Sequence, residues 1–286
     1  MTIARILVPV RGDGKGQDVI AHAAALAKRF AAHVECVHCR ARAEDFMPFG
    51  VNIPRVLREQ IRQSAETLAQ GEEDRLRALF EGLLPELGLT QSEDGRPIPG
   101  TASASFDEAE GKMAEIIRIR GKLADLTFVA RPDRDRNLGE NSLRAGLFQT
   151  GRPVVMCPPA APPADFAAHV AIAWNGALEA TRAVALAQPV LRAADKVTVL
   201  DGGAEDERVS GMALIDYLTT HGVEATRTEI DAKRDPGGVI LASAKAAGAT
   251  LLVTGAYGHS REHETLFGGA TRTMVDKSDM AVLMAH

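Results

Sequence analysis

The chain states one plan twice, and that duplication restricts its fold more than any other feature. Arg5-Ile-Leu-Val-Pro-Val-Arg11 and His169-Val-Ala-Ile-Ala-Trp-Asn175 are both short apolar runs suited to buried strands. Each is followed by a turn and an Ala-rich helical segment, Asp18 to Phe30 and Leu178 to Leu191, then by a second strand, Val34 to His38 and Val197 to Asp201. Later come the paired runs Ala124 to Ala130 and Ala249 to Gly255, and each half closes on a short strand, Pro153 to Met156 and Met280 to Met284. Strands that alternate with helices imply parallel sheets, right-handed crossovers and helices on both faces. The expected fold class is therefore α/β: two tandem doubly wound (Rossmann-like) domains, each with a five-stranded, mainly parallel sheet.

Pro158-Pro-Ala-Ala-Pro-Pro163 marks the joint, because consecutive prolines remove backbone donors and stiffen a linker. This places one domain at 1–160 and the other at 165–286. Residues 44–100 form an insertion in the first half. Val56 to Leu84 reads as helical, with an interruption near Gly71, and Gln91 to Gly100 as loop. In the second half Glu205 to His221 reads as one helix before a strand at Glu224 to Ile230, and a further helix spans Gly237 to Ala247. Phe106 to Gly121 is expected to be its counterpart in the first half.

Composition excludes several classes of function. The net charge of −5 lies wholly in residues 165–286, which carry 11 Lys/Arg against 16 Asp/Glu. Such an acidic half is unsuited to a nucleic-acid backbone. Cys36, Cys39 and Cys157 are the three cysteines, an odd number without metal-type spacing, which points to a reducing cytoplasmic setting and to buried or half-buried thiols. No apolar run approaches the roughly 20 residues that span a bilayer, and the first ten residues read as a strand, so no membrane association is expected.

Chemistry concentrates after the strand at 250–254. There the run Gly255-Ala-Tyr-Gly258, nine residues, and then Gly268-Gly269-Ala-Thr271 carry the chain from a strand to a helix. Glycine permits positive φ and close backbone approach, while successive N–H groups and a helix N-terminus favour an anion. Glycines also mark ordinary turns. Position sharpens the reading, since in a doubly wound sheet this strand neighbours the first strand of its half, and ligands occupy the crevice at their carboxyl ends. Asn175 ends that first strand, where it suits either base recognition or an Asx-turn, and Trp174 suits either stacking or core packing. Asp201 ends the second strand, at the position of ribose hydroxyls or of a simple turn. Thr271 suits a phosphate contact or a helix cap, and Arg272 a phosphate counter-charge or a solvated surface. His259 and His263 stand four apart but lack the other ligands of a zinc site. In the first half Ala130-Arg-Pro-Asp133 replaces the first glycine pair, and proline cannot contribute an N–H to such a nest. One working site per chain is expected.

With these residues in place, the chain resembles a tandem member of the universal stress protein family. The motif of the nucleotide-binding branch is Gly, two residues, Gly, nine residues, Gly, then Gly or Ser/Thr, which Gly255, Gly258, Gly268 and Gly269 match in spacing. The resemblance implies an adenine nucleotide, ATP above all, with or without Mg, as cofactor. Ala173, Trp174 and Asn175 would lie near the base, Asp201 near the ribose, Thr254 and Gly255 beneath the nucleotide, and Gly258, Gly268, Gly269, Ala270 and Thr271 around the phosphates. Two positions depart from many members, which have Ser where this chain has Gly269 and Asp where it has Asn175. The resemblance further implies a pseudo-dimer, in which Pro153–Met156 pairs antiparallel with Met280–Met284. Whether that unit pairs again as a homodimer stays open. The expected function is a cytoplasmic stress-response binding module with no catalytic residue, and at most slow ATP hydrolysis. Two alternatives stand beside it. One is an interaction or scaffold protein with empty sites. The other is an adenylate-forming or nucleotidyl-transfer enzyme, although the run 173–176 carries neither of the usual signatures.

Overall fold

The computed structural model describes residues 2–10, 15–40, 54–136, 138–204, 206–257 and 269–286. The first half runs β1 (Arg5–Val10), α1 (Gly16–Phe30), β2 (His33–Arg40), α2 (Arg55–Leu87), β3 (Thr90–Gln91), β4 (Ser103–Glu110), α3 (Met113–Arg120), β5 (Leu126–Ala130), α4 (Glu140–Gln149) and β6 (Val154–Cys157). The second runs β7 (His169–Trp174), α5 (Leu178–Ala193), β8 (Lys196–Asp201), α6 (Gly211–Thr220), β9 (Ala225–Glu229), α7 (Pro236–Ala247), β10 (Leu251–Gly255), α8 (Gly269–Lys277) and β11 (Ala281–Ala285).

All the strands join one sheet in the order β3-β4-β2-β1-β5-β6-β11-β10-β7-β8-β9. Every pairing is parallel except β6 with β11, where Val154, Val155 and Met156 face Met284, Leu283 and Val282. Two doubly wound units thus meet head to head, as the expected pseudo-dimer requires. The central strands β7 and β11 are buried along their whole length, as parallel strands covered on both faces must be. One apolar cluster contains residues of both halves, among them Ile6, Phe128, Phe166, Ile172 and Leu283, so the core continues across the junction.

Helix ends follow local chemistry. Asp235 caps α7 by accepting a hydrogen bond from the Gly238 amide at 3.1 Å, Pro236 opens the helix, and Gly248 closes it at φ 78.

The sequence expectations need correction in four places. First, α2 continues through Gly71 without interruption. An interior glycine costs about 1 kcal/mol, and Leu76, Phe80 and Leu84, spaced at i, i+4 and i+8, bury one helix face in the core. Second, Ser103–Glu110 is strand, so the helix expected over Phe106 to Gly121 is confined to Met113–Arg120. The charged side chains of Asp107, Glu108 and Glu110 hide the strand signal, whereas register pairing with β2 from His33 to Arg40 enforces it. Third, the stretch from Glu205 to His221 divides into a 3-10 turn, Glu207–Val209, and α6, whose cap Ser210 accepts from the Ala213 amide. Fourth, Thr90–Gln91 adds a short edge strand, giving the first half six strands among the described residues.

Candidate functional site

In the second half the strand order is third, second, first, fourth, fifth, so the direction of winding reverses between β7 and β10. Helices leave from opposite faces there, and a crevice opens at the carboxyl edge. A cavity of about 400 Å³ occupies it, within the range of small-molecule sites.

The cavity draws on several segments. Ala173, Trp174 and Asn175 come from the end of β7, Thr254 and Gly255 from the end of β10, and Gly269, Ala270 and Thr271 from the start of α8. Leu200, Ile230, Ile240 and Met274 supply an apolar body, and Lys233 is a charged lining residue from the segment before α7. Of the residues assigned to the site from sequence, eight converge here. Gly258 and Gly268 lie outside the described residues, as do His259 and His263.

The individual geometries divide these residues by role. Gly255 touches protein on its Cβ side: a Cβ there would lie 2.5 Å from the Ala180 nitrogen and 2.6 Å from the Glu179 carbonyl carbon. The absent side chain therefore lets β10 approach the first turn of α5. Gly269 is different, since among the described residues no atom lies within 4 Å of a Cβ built on it. Gly269 lines the cavity at the first turn of α8.

Tyr257 adopts φ 63, which is rare for a bulky residue. This conformation turns its amide to donate to Thr271 Oγ1 at 3.2 Å, so the end of the glycine run is tied to α8. Burial pushes the Tyr257 phenol up to about 12 and keeps it neutral. Thr254 Oγ1 donates to the Gly255 carbonyl at 3.0 Å.

Asn175 forms the Asx-turn, its Oδ1 accepting from the Ala177 amide at 3.1 Å, while it also lines the cavity. Trp174 packs with the core on the sheet face opposite Ala173, 7% exposed, and donates from Nε1 to the Val209 carbonyl at 2.8 Å. That bond fixes the indole in the core, while the residue also borders the cavity at the end of β7.

Asp201 is not brought to the cavity. Its Oδ1 accepts from the Gly203 amide at 3.0 Å, and its Oδ2 accepts from the Gly211 amide at 3.2 Å and from Arg227 Nε at 2.8 Å. A buried carboxylate satisfied three times over braces β8, β9 and α6, and Gly202 replaces it on the lining. Arg272 is exposed and stands 3.8 Å from Asp276.

Sequence reading missed the contribution of residues 230–240, namely Ile230, Lys233 and Ile240. The available signal was topological: in a parallel sheet the carboxyl end of β9 lies on the same edge as those of β7 and β10.

The equivalent crevice of the first half is nearly closed, at about 30 Å³. Lys15 Nζ bonds Asp133 Oδ2 at 2.8 Å across it, and Asp133 and Leu138 exchange backbone hydrogen bonds of 2.8 and 2.9 Å. Gly139, at φ 91, packs against Pro132.

Cys36 and Cys157 are buried and Cys39 is half-buried, all three with free thiols. Among the described residues no three His, Cys, Asp or Glu side chains group to hold a metal ion, and no helix is long and apolar enough to cross a membrane.

No protein-family model matches the sequence, and no curated protein matches it. Solved structures do match. A universal stress protein from Archaeoglobus fulgidus superposes with TM-score 0.64 at 13% identity, over 98% of this chain and 97% of that one. A functionally unknown protein from Pseudomonas aeruginosa gives 0.58 at 16%, over 99% and 92%. A second protein from that organism, classed provisionally as a universal stress protein, gives 0.55 at 15%, over 99% and 93%. The chain therefore has the two-unit α/β fold of these proteins across its whole length.

Proposed function

We propose that the protein is a universal-stress-type binding module that takes an adenine nucleotide, ATP foremost, in the cavity of its second half. The observation that carries this reading is the asymmetry of the two crevices: one is open to about 400 Å³ beneath the N-terminus of α8, and the other is closed to about 30 Å³. The apolar body formed by Leu200, Ile230, Ile240 and Met274 suits a flat base. The flank of Gly269, clear of described atoms, and the first amides of α8 suit a phosphate, and the described lining carries one cation, Lys233, and one carboxylate, Glu179. Ribose contacts fall to groups other than Asp201, whose oxygens are committed elsewhere.

On this reading the protein acts in the cytoplasm by occupancy rather than turnover. Any hydrolysis is slow and incidental on this reading, with or without Mg, and Glu179 is the carboxylate among the described lining residues. Calorimetric titration with ATP, ADP and AMP tests the proposal. One nucleotide bound per chain is expected, and absence of binding for all three at millimolar concentration rejects it. Mass spectrometry of small molecules released from freshly purified protein then identifies the natural occupant.

A further inference from the structure

The segment that replaces the glycine pair in the first half is not idle. Arg131 Nη1 donates to the carbonyl of Ser278 at 2.7 Å, just beyond the end of α8, and Arg134 Nε meets Asp276 Oδ1 on α8 at 2.6 Å. From the same half, Phe148 on α4 packs its ring 5.3 Å from that of Tyr257 and 4.6 Å from the imidazole of His286. His286 donates from Nδ1 to the Ala256 carbonyl at 3.0 Å, which fixes the residue before Tyr257.

These contacts are related by the pseudo-twofold axis. The β6–β11 pairing is centred on Val155 opposite Leu283, and Phe148 and Asp276 each lie seven residues before those positions. Each half therefore extends the same point of its last helix onto the other half's loop. From α4 the contact is an aromatic ring on Tyr257; from α8 it is a carboxylate on Arg134.

We infer that the first half clamps the binding cavity of the second: α4 and the Arg131–Arg134 segment hold Tyr257 and α8 in the arrangement that lines the cavity, so cavity occupancy and α4 packing form one coupled equilibrium. The physical link is short. Phe148 touches Tyr257, the Tyr257 amide donates to Thr271 Oγ1, and both Tyr257 and Thr271 line the cavity, whereas Phe148, Arg131 and Arg134 do not. A guest that favours the lined arrangement must then favour the docked α4 by the same free energy. The identity of the guest rests on the nucleotide reading; the clamp itself does not.

Hydrogen–deuterium exchange on the full chain tests the inference, comparing wild type with Phe148→Ala, Arg134→Gln and Phe148→Tyr. Without ligand, Phe148→Ala and Arg134→Gln are expected to speed exchange over residues 269–277 about five- to tenfold, and Phe148→Tyr to restore the wild-type rate. With ATP, protection is expected at 140–149 as well as at 269–277, and Phe148→Ala is expected to weaken ATP binding about five- to tenfold. Unchanged exchange over 269–277 in both truncating variants overturns the clamp. ATP binding that protects 269–277, leaves 140–149 unaltered and is insensitive to Phe148→Ala overturns the coupling. Calorimetry that detects no binding of ATP, ADP or AMP rejects the nucleotide reading alone, and the ligand-free comparison then decides the clamp.

Discussion

The two crevices share a strand order and a helix arrangement, yet one is open and the other is filled. The difference resides in a few residues at the carboxyl edge. In the second half Gly255 lets β10 press against the first turn of α5, Tyr257 takes a left-handed turn toward α8, and a space remains between them. In the first half Ala130 stands at the end of the matching strand, Pro132 packs on Gly139, and the Lys15–Asp133 ion pair crosses the gap. A fold of this kind supplies a site wherever its winding reverses, and local side chains decide whether the site is kept. In the first half the crevice is nearly closed, and the segment that borders it supplies Arg131 and Arg134 to α8 and the residue after it.

Substitutions at the two informative glycines break the comparison most directly. Gly255→Ala is expected to cost about 1–3 kcal/mol of stability, because the new methyl meets the backbone of Glu179 and Ala180, which cannot rotate aside. Chemical denaturation measures it, and a cost near zero shows that the close approach of β10 to α5 is not required. Gly269→Ala separates folding from binding. Its Cβ meets no described atom within 4 Å, so stability is expected to stay within about 0.5 kcal/mol while ATP affinity falls about tenfold, or ~1.4 kcal/mol. Unaltered affinity in calorimetry means that no guest approaches that flank.

A smaller, pH-dependent effect sharpens the contrast between the outer strands of the two halves. On β8 and β9, Asp201 and Arg227 form a satisfied ion pair. On β4, Glu108 is largely buried, with His38 Nδ1 at 3.9 Å and Arg40 Nε at 3.8 Å. Burial, and next the Glu73 carboxylate on α2, push Glu108 up to about 7. A carboxyl raised in the folded state adds stability that is complete below its ordinary value and is lost as pH rises through 7. Glu108→Gln, which keeps the neutral form at every pH, is therefore expected to be more stable relative to wild type at pH 8 than at pH 5, by roughly 1 kcal/mol after solvent screening. Thermal melts at the two pH values check the sign.

Much of the architecture was legible because it depends on periodicity. Apolar runs separated by Ala-rich helices and a proline joint pointed to the class and the duplication, while the antiparallel seam between the last strands of each half followed only from the family resemblance. Ser103–Glu110 was not legible as a strand, since its charged residues give no apolar period and only the waiting edge of β2 makes them extended. The glycine spacing, together with the family resemblance, pointed to one edge of the sheet, and eight of the residues so named line the cavity there. The spacing gave no means of separating Gly255, which faces a helix, from Gly269, which faces no described atom, because one letter serves both purposes.

The α/β class and the duplication are thus properties of local sequence, set by hydrophobic period, and the sequence difference between the two crevices is set by where proline removes an amide. The orientation of side chains at the open crevice is a property of the assembled molecule. Asp201 turned to Arg227 and two amides, Lys233 arrived from a distant loop, and Phe148 crossed from the other half. Each of these depends on partners brought together only by packing, and a buried polar or aromatic group settles where its contacts are satisfied rather than where its neighbours in the chain would place it.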